Sequence, residues 1–362
     1  MKVMIALENV VMDGVKRAST VLGNALAQHL DLLYFSLADA PQYFTLNAPL
    51  IIADPPADPQ LLNFFGDHPY QVYEQQINAL IDTADTHHID AIILPAGLLT
   101  SFAPLIKKAL PRLHLIGWMH NNFNTYTEDY YGHMRGEFRD GLAAVDSLVV
   151  LTASDLSEYS QFNPHTLKIY NPITLQPTRH ADLEAHRIAF TGRIAIEHKG
   201  IDLLLSAARR LRPGWKIAIA GSGTPEDMAV FDQLRTFWAL DDVIDFRGPL
   251  HDAALQAHYA EAAIFVSTSR WEGMPLVIGE AMAAGLPIVA MTNTGSQEFI
   301  GDNEFGILTR PADPNDFIEH LNAMIDSKAL RTHYAHQSLR RAADFKLANI
   351  TQQWLDLLQQ PV

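Results

Sequence analysis

Residues 267–295 read STSRWEGMPLVIGEAMAAGLPIVAMTNTG, and the order of apolar and turn-forming residues in this stretch decides the fold class. An apolar strand leads into a Gly-Met-Pro-Leu turn, and the turn leads into a short helix that we predict over residues 275–284. Pro275 suits the first helical turn, where its missing N–H would have no partner, and Gly285 suits the position just past the helix. A second apolar strand follows at residues 287–290, before a polar Thr-Gly-Ser loop. The order strand, helix, strand is typical of a parallel βαβ unit.

The same alternation of apolar runs and helical patterns extends along the chain. Most of the apolar runs are continuous, which is typical of strands buried on both faces of a parallel sheet. In the first half, we predict strands at Val3–Leu7, Leu32–Ser36, Leu50–Ala53, Ala91–Pro95, Leu113–Met119 and Ser147–Leu151. In the second half, we predict strands at Arg187–Thr191, Trp215–Ala220, Val243–Phe246, Ala263–Ser267, Pro287–Ala290 and Gly306–Leu308. The sequence thus predicts an α/β protein with two doubly wound, Rossmann-like domains.

The boundary between the two series is predicted near residue 170. Pro172 restricts Asn171 to an extended conformation, and the next residues show no clear period. Residues 38–70 are rich in Pro, Asp and Phe, and we expect loops and short elements there. The tail of the chain has a helical pattern, with an apolar face that includes Trp354.

Composition excludes several classes of function. The 362 residues carry a formal net charge of −15, and both halves are acidic, so a broad nucleic-acid-binding surface is not expected. Without cysteine, the chain has no disulfide, thiolate metal site or cysteine nucleophile. The N-terminus enters an apolar strand at once and lacks the features of a signal peptide, and no run of about 18 apolar residues occurs. We therefore expect a cytoplasmic protein.

Two carboxylates lie in the opening stretch, Glu272 before the predicted helix and Glu280 inside it. Helix geometry places them about 10–15 Å apart, which exceeds the separation of about 5–10 Å used for two-carboxylate glycoside hydrolysis. The span instead fits a ligand that lies along the start of the helix. Either glutamate alone could be a solvated surface residue, but a single charge in so apolar a helix indicates that Glu280 has a specific partner.

The start of the predicted helix is a candidate anion site. The free backbone N–H groups and the dipole at a helix N-terminus favour a negative ligand, and a diphosphate is a natural occupant. The residues of this turn are Gly273, Met274, Pro275, Leu276 and Val277, and all except the proline have an N–H to offer.

The segment RWEGMPLVIGEAMAAGLPIVA, with seven residues between Glu272 and Glu280, resembles the signature of retaining glycosyltransferase family four, which has the GT-B fold. Arg193 and Lys199, the latter within a His-Lys-Gly element, resemble the two cations that clamp the donor diphosphate in that family. The loop containing Arg247 resembles the one whose backbone meets the nucleotide base. The resemblance is strong in the second half of the chain and weaker in the first.

In the first half, Gly14 lies where the family has a loop with two glycines, although this chain has Asp13 at the first of these positions. His120 ends a strand at the place of a histidine that contacts the donor sugar in the family. The resemblance also implies that two domains face each other across a cleft. These are an acceptor-side domain over residues 1–170, joined by a returning C-terminal helix at 346–362, and a donor-binding domain over residues 171–345.

The resemblance implies a retaining enzyme that moves a hexose from a nucleoside-diphosphate sugar, which we expect to be a UDP-sugar, to a glycan, glycolipid or cell-surface polymer. Glu280 would hold the ribose, and the catalytic set would be Glu272, His120, Arg193 and Lys199. Asp241-Asp242 resembles a turn rather than a metal-binding loop, so we expect neither a metal nor a resident cofactor. The first half of the chain is acidic and shows no clear basic, amphipathic face. We therefore expect at most transient contact with the inner face of a membrane. The alternatives are another GT-B sugar-nucleotide enzyme or a non-catalytic GT-B subunit that partners a transferase.

Overall fold

The computed structural model describes residues 1–58, 61 and 66–360. These residues form two compact units. Unit 1 comprises Met1–Thr174 together with the C-terminal segment from Leu347, and unit 2 comprises Leu175–Lys346. Each unit has its own parallel sheet and its own apolar core.

Unit 1 is built on a parallel sheet with helices between its strands. The strands are β1 (Lys2–Leu7), β2 (Asp31–Ala38), β3 (Leu50–Ala57), β4 (Ala91–Pro95), β5 (His114–Trp118), β6 (Ser147–Val150) and β7 (Thr166–Lys168). The helices are α1 (Gly14–Leu26), α2 (Pro69–Val72), α3 (Glu74–Thr86), α4 (Ala96–Ser101), α5 (Ala103–Ala109), α6 (Arg135–Ala144) and α7 (Ala153–Tyr159). The strand order is β3-β2-β1-β4-β5-β6-β7, so the order reverses between β1 and β4. This reversal is the doubly wound, Rossmann-like arrangement.

Unit 2 repeats the architecture. Its strands are β8 (Arg187–Thr191), β9 (Lys216–Ala220), β10 (Ile244–Gly248), β11 (Ile264–Ser267), β12 (Ile288–Met291) and β13 (Ile307–Thr309). Its helices are α8 (Ile201–Ala208), α9 (Pro225–Phe237), α10 (Asp252–Ala260), α11 (Leu276–Ala283), α12 (Thr294–Ile300), α13 (Pro314–Asp326) and α14 (Lys328–Ala342). The strand order is β10-β9-β8-β11-β12-β13, with the reversal between β8 and β11.

The predicted fold class is confirmed, and the continuous apolar runs explain it. Strand β4 (AIILP) and strand β11 (IFVS) are buried along their full length, as strands covered on both faces must be. Among the described residues, no helix is long and apolar enough to cross a membrane.

Helix α15 (Leu347–Leu358) belongs to unit 1, where it packs against α1. The fully buried ring of Trp354 lies 4.8 Å from the ring of Trp118, with an angle of 60° between them. The last two residues of the helix that we predicted at 346–362 lie outside the described residues. Large aromatic contacts of this kind stabilise the attachment of a terminal helix.

Several elements differ from the prediction. Residues 294–296, predicted as a loop, begin α12, because Asn293 caps the helix and Ser296 completes a capping box. The short edge strand β7 was missed because it is brief and half polar, and a π-helix at Thr125–Tyr130 was not predicted. Strand β3 runs beyond Ala53 into the region that we expected to be loops, and the part of that region at residues 59–60 and 62–65 lies outside the described residues.

Candidate active site

The carboxyl ends of β8 and β11 form the edge where an open α/β sheet binds its ligand, because the strand order of unit 2 reverses between them. The loop after β8 carries Arg193 and Lys199, and the loop after β11 carries Glu272. The two loops are bonded to each other, since Arg270 N donates to His198 O at 2.9 Å. The fold therefore brings together three of the predicted catalytic residues.

Lys199 and Glu272 form a close ion pair between Nζ and Oε1. The backbone that delivers Lys199 is held by Thr268, whose Oγ1 donates to Lys199 O at 2.9 Å. Gly200 follows with a φ of +61°, and a Cβ at this position would lie 2.1 Å from Thr268 O. Only glycine lets the chain pass the end of β11 closely enough for the lysine to reach Glu272.

The side chain of Glu272 is ionised although the residue is only 8 % exposed. Burial by itself raises the pKa of Glu272, but the Lys199 ammonium, helped by His198 and the Ser269 hydroxyl, outweighs burial and holds the pKa below its usual value. An ionised carboxylate only accepts hydrogen bonds. Glu272 can therefore accept a hydrogen bond from a sugar hydroxyl and has no proton to donate.

Arg193 is exposed and, within the part of the chain that the structure describes, it has no carboxylate partner. Its Nη2 lies 3.3 Å from Nδ1 of His198. The His198 ring stacks on Trp271, with centroids 4.8 Å apart and planes 4° apart, and Nε2 lies 3.0 Å from Trp271 O. The edge thus presents one neutralised cation, Lys199, and one that keeps its charge.

The predicted anion site lies at the start of α11, which begins at Leu276 rather than at the predicted Pro275. Pro275 is the N-cap and provides no side-chain hydrogen bond to the first turn. The turn is fixed from α12, because Thr294 Oγ1 donates to Glu272 O at 2.9 Å and a Cβ on Gly295 would lie 2.7 Å from Gly273 O. The N-terminus of α11 is therefore rigid and lacks a side-chain cap, as an anion site requires.

The second glutamate, Glu280, is in a different environment from the first. It is 0 % exposed, and Tyr259 Oη donates to its Oε2 at 3.0 Å. The tyrosine comes from α10, which the sequence pattern alone did not connect with α11. Glu280 thus has a specific partner, as expected for a charge in an apolar helix, and its predicted contact with the ribose stays a prediction.

Arg247 is engaged inside unit 2. Its Nε donates to Asp245 Oδ2 at 3.1 Å, and Nη2 lies 3.5 Å from Glu261 Oε2. Beside it, burial and the Arg247 cation lower the pKa of His258 to about 4. The guanidinium of Arg247 is thus engaged within unit 2, and the predicted contact of its loop with the nucleotide base stays a prediction.

The carboxyl edge of the sheet in unit 1 carries a cleft that opens to solvent. Asp13 caps α1, and its two oxygens accept hydrogen bonds from Lys16 N at 2.7 Å and from Lys16 Nζ at 2.5 Å. This dual role explains an aspartate where the resembled family has a glycine. A Cβ on Gly14 would meet no described atom within 4 Å, so packing does not require a glycine there.

His120 lies in the same cleft, with its ring 4.3 Å from the ring of Trp118. Burial, with the Lys16 ammonium nearby, lowers the pKa of His120 to about 3, so the ring is neutral at neutral pH. Its Nε2 is buried without a hydrogen-bond partner among the described residues. Tyr126 and Tyr131 complete an aromatic wall.

No group of three or more His, Cys, Asp or Glu side chains that could hold a metal ion occurs in the described ranges. His198 and Tyr259 were missed as site residues. The position of His198 beside Lys199-Gly200 was a signal that could have drawn attention to it, whereas no sequence signal connects Tyr259 with Glu280.

The architecture is that of the GT-B glycosyltransferases. The structure of HepE from Anabaena, solved in complex with UDP-glucose, matches with a TM-score of 0.82 and 18% identity, over 99% of each chain. This likeness establishes two parallel-sheet, Rossmann-like domains of the GT-B type.

The sequence comparisons support the same class of enzyme. Residues 185–327 match the family described as "Glycosyl transferases group 1". Over 358 residues the chain is 26% identical to an uncharacterized glycosyltransferase of Haemophilus influenzae, covering 95% of this chain and 96% of that one. It is 25% identical to the amylovoran biosynthesis glycosyltransferase AmsD of Erwinia amylovora, covering 95% of each. The chain is a glycosyltransferase of the group 1 type, resembling family four, and transfers a sugar from a nucleotide sugar.

Proposed function

We propose that the protein is a retaining hexosyltransferase that uses a UDP-sugar and needs no metal ion. The observation that carries the proposal is the contrast at the edge of unit 2, where Glu272 neutralises Lys199 while Arg193 keeps its charge. A leaving diphosphate gains negative charge as its bond to the sugar breaks. A fixed guanidinium and the start of α11 stabilise that charge in the way that a metal ion does in other enzymes.

The nature of the donor is supported by a structural relative. HepE from Anabaena was solved with UDP, with UDP and glucose, and with UDP-glucose. Unit 2 is the donor-binding domain in this proposal, and Glu272 accepts a hydrogen bond from a hydroxyl of the donor sugar. Glu280 holds the ribose, and the backbone around Arg247 meets the base.

The retaining course rests on the resemblance to family four. The acceptor hydroxyl attacks the anomeric carbon on the face from which the diphosphate departs. The bond between the anomeric carbon and the diphosphate oxygen breaks, the bond to the acceptor oxygen forms, and a diphosphate oxygen takes the hydroxyl proton. Glu272 is not a nucleophile in this scheme, because its carboxylate is engaged by Lys199.

Unit 1, with α15, is the acceptor-side domain, and His120 contacts the donor sugar. The acceptor is a glycan, a glycolipid or a cell-surface polymer. The name of AmsD, which refers to amylovoran biosynthesis, supports polysaccharide synthesis. We place the protein in the cytoplasm, with transient contact at the inner face of the membrane.

A donor screen tests the proposal. Thermal shift with nucleotide sugars should single out UDP-sugars, and calorimetry should then measure UDP binding to the wild type. Replacing Glu280 by Gln should weaken UDP binding by about tenfold, since a charged hydrogen-bond acceptor to the ribose is lost. The exposed Glu319→Gln on α13 serves as the control. Wild-type turnover in the Glu280 variant would contradict the ribose assignment.

The metal requirement is tested separately. Transfer from the UDP-sugar should persist in EDTA, because Arg193 and α11 supply the positive potential. Activity that EDTA abolishes and Mn²⁺ restores would overturn the metal-independent scheme. Product formation without any acceptor would favour another GT-B sugar-nucleotide enzyme, and a wild type that binds no UDP would favour a non-catalytic subunit.

A further inference from the structure

His198 touches two other parts of the donor edge and has no role in the scheme above. Its ring stacks on Trp271, the residue before Glu272, and its Nε2 lies 3.0 Å from Trp271 O. Its Nδ1 lies 3.3 Å from Arg193 Nη2. The imidazole therefore connects the backbone that carries Glu272 with the cation that keeps its charge.

The contacts determine which ring nitrogen of His198 carries the proton. A carbonyl oxygen only accepts hydrogen bonds, so Nε2, which faces Trp271 O, is the protonated nitrogen. Burial, with the Lys199 and Arg193 cations, lowers the pKa of His198 to about 4 in spite of the nearby Glu272. The ring is neutral at neutral pH, so Nδ1 is a bare acceptor, and Arg193 Nη2 donates to it.

The distance to Glu272 excludes a second role for His198. Nε2 lies 3.8 Å from Glu272 Oε2, which is too long for a hydrogen bond, and its proton already points to Trp271 O. His198 does not pass a proton to or from Glu272. Within the described ranges, its polar partner beyond Trp271 is therefore Arg193.

A neutral acceptor orients an arginine without neutralising it. Arg193 offers five N–H donors, and the contact with His198 uses one of them. A carboxylate in place of His198 would orient the guanidinium equally well, but it would cancel the charge, as Glu272 does for Lys199. The remaining N–H groups of Arg193 match the paired oxygens of a phosphate.

We propose that His198 is a positioning residue that holds the Arg193 guanidinium toward the donor diphosphate through a neutral hydrogen bond. The full positive charge of Arg193 then remains available to the leaving group. This inference rests on the proposed function, because it takes a nucleoside diphosphate as the leaving group.

Three substitutions of His198 test three properties separately: its stacking on Trp271, its hydrogen-bond acceptor Nδ1 and its lack of charge. His198→Phe keeps a ring for Trp271 and removes the acceptor, so UDP should bind about tenfold more weakly, as expected for a lost hydrogen bond to a charged group. His198→Asn loses the ring but places an amide oxygen near the position of Nδ1, and its UDP affinity should stay within about threefold of the wild type. His198→Asp matches Asn in size and adds a charge, so it should bind UDP more weakly than His198→Phe.

A double-mutant cycle with Arg193→Gln shows whether His198 acts through Arg193. Calorimetry at neutral pH measures the affinities for UDP and for inorganic pyrophosphate. Once Arg193 is removed, His198→Phe should cause no further loss, because there is no guanidinium left to orient.

The outcomes separate the two proposals. If the losses of binding free energy caused by Arg193→Gln and by His198→Phe are additive in the double variant, the role of His198 is overturned. The proposal that the donor is a UDP-sugar then still stands. Equal affinities of the Asn and Asp variants would also overturn it, even if the Phe variant does not fold. A wild type that binds neither UDP nor pyrophosphate would overturn the proposed donor, and the role of His198 with it.

Discussion

The carboxyl edges of the two sheets share a strand order but differ in charge and in packing. In unit 2, Arg193 keeps its charge beside a neutral histidine, and Lys199 is paired with a buried carboxylate. In unit 1, Lys16 is the one lysine or arginine among the described residues that line the cleft, and it is paired with Asp13. Among the described residues, one edge therefore carries an arginine without a carboxylate partner, and the other carries an aromatic cleft in which the lysine is paired. The strand order places the ligand edge, and the loops decide its chemistry.

The backbone differs as well. The loops of unit 2 approach so closely that Gly200 cannot carry a Cβ, whereas Gly14 in unit 1 has open space around it. Rigid loops hold charged groups in place without reorganisation during the reaction, which is what stabilisation of a leaving group requires. The charge of each edge and the tightness of its loops can be tested separately.

The largest expected effect is on the stability of unit 2. Lys199→Met leaves the buried Glu272 carboxylate without its cation and should lower the free energy of unfolding by about 3–5 kcal/mol. The matched change in unit 1, Lys16→Met, should cost less, because the Asp13 side chain is 30% exposed and still caps α1. Urea denaturation of both variants measures the difference. Equal losses would contradict the distinction between a buried and a half-buried pair.

The next effect is on activity. Arg193→Gln should lower kcat by about 100-fold, because it removes a guanidinium that has no carboxylate partner among the described residues. The melting temperature should be unchanged, because the side chain is exposed. Arg209→Gln, which changes an exposed arginine at the end of α8, is the control and should leave kcat as it is. A loss of stability that parallels the loss of activity would indicate a structural role for Arg193.

A smaller effect tests the packing of the loops. Gly200→Ala should cost about 2 kcal/mol, because the residue has a φ of +61° and its Cβ would meet Thr268 O. Gly14→Ala, at the start of α1, should leave stability within about 0.5 kcal/mol of the wild type. Thermal unfolding of the two variants gives the comparison. A stable Gly200 variant would show that the loops of unit 2 can move apart.

Stability should also depend on pH, because both units contain histidines whose pKa is lowered in the folded chain. Burial holds the pKa of His198 and of His258 in unit 2 at about 4, and that of His120 in unit 1 at about 3. Between pH 6.5 and about 4, these rings bind protons in the unfolded chain but not in the folded chain. The free energy of unfolding is therefore highest above pH 6.5 and falls as the pH is lowered. The loss should be about 1 kcal/mol per pH unit for each ring. Calorimetric melting of the wild type and of His198→Asn measures it, and the variant should lose less than the wild type does.

The strands were predictable because their apolar runs are continuous, and β8 was predicted with the bounds that the structure has. The loop predicted at Thr294-Gly295-Ser296 was wrong, although the capping signal of Asn293 was present in the sequence. The hydrogen bond between Tyr259 and the buried Glu280 was not predictable, because it joins two helices, α10 and α11, that are separated in the sequence by strand β11.

The sequence by itself determined the fold class, the family and the positions of the cations and carboxylates along the chain. Hydrophobic period and local turn chemistry act over a few residues, so one sequence is enough to show them. Only the tertiary structure decided which cation is neutralised, which histidine nitrogen carries the proton and which glutamate is buried. These properties depend on distances between loops that are some 70 residues apart in sequence, as Lys199 and Glu272 are, and electrostatic and hydrogen-bond energies are set by such distances.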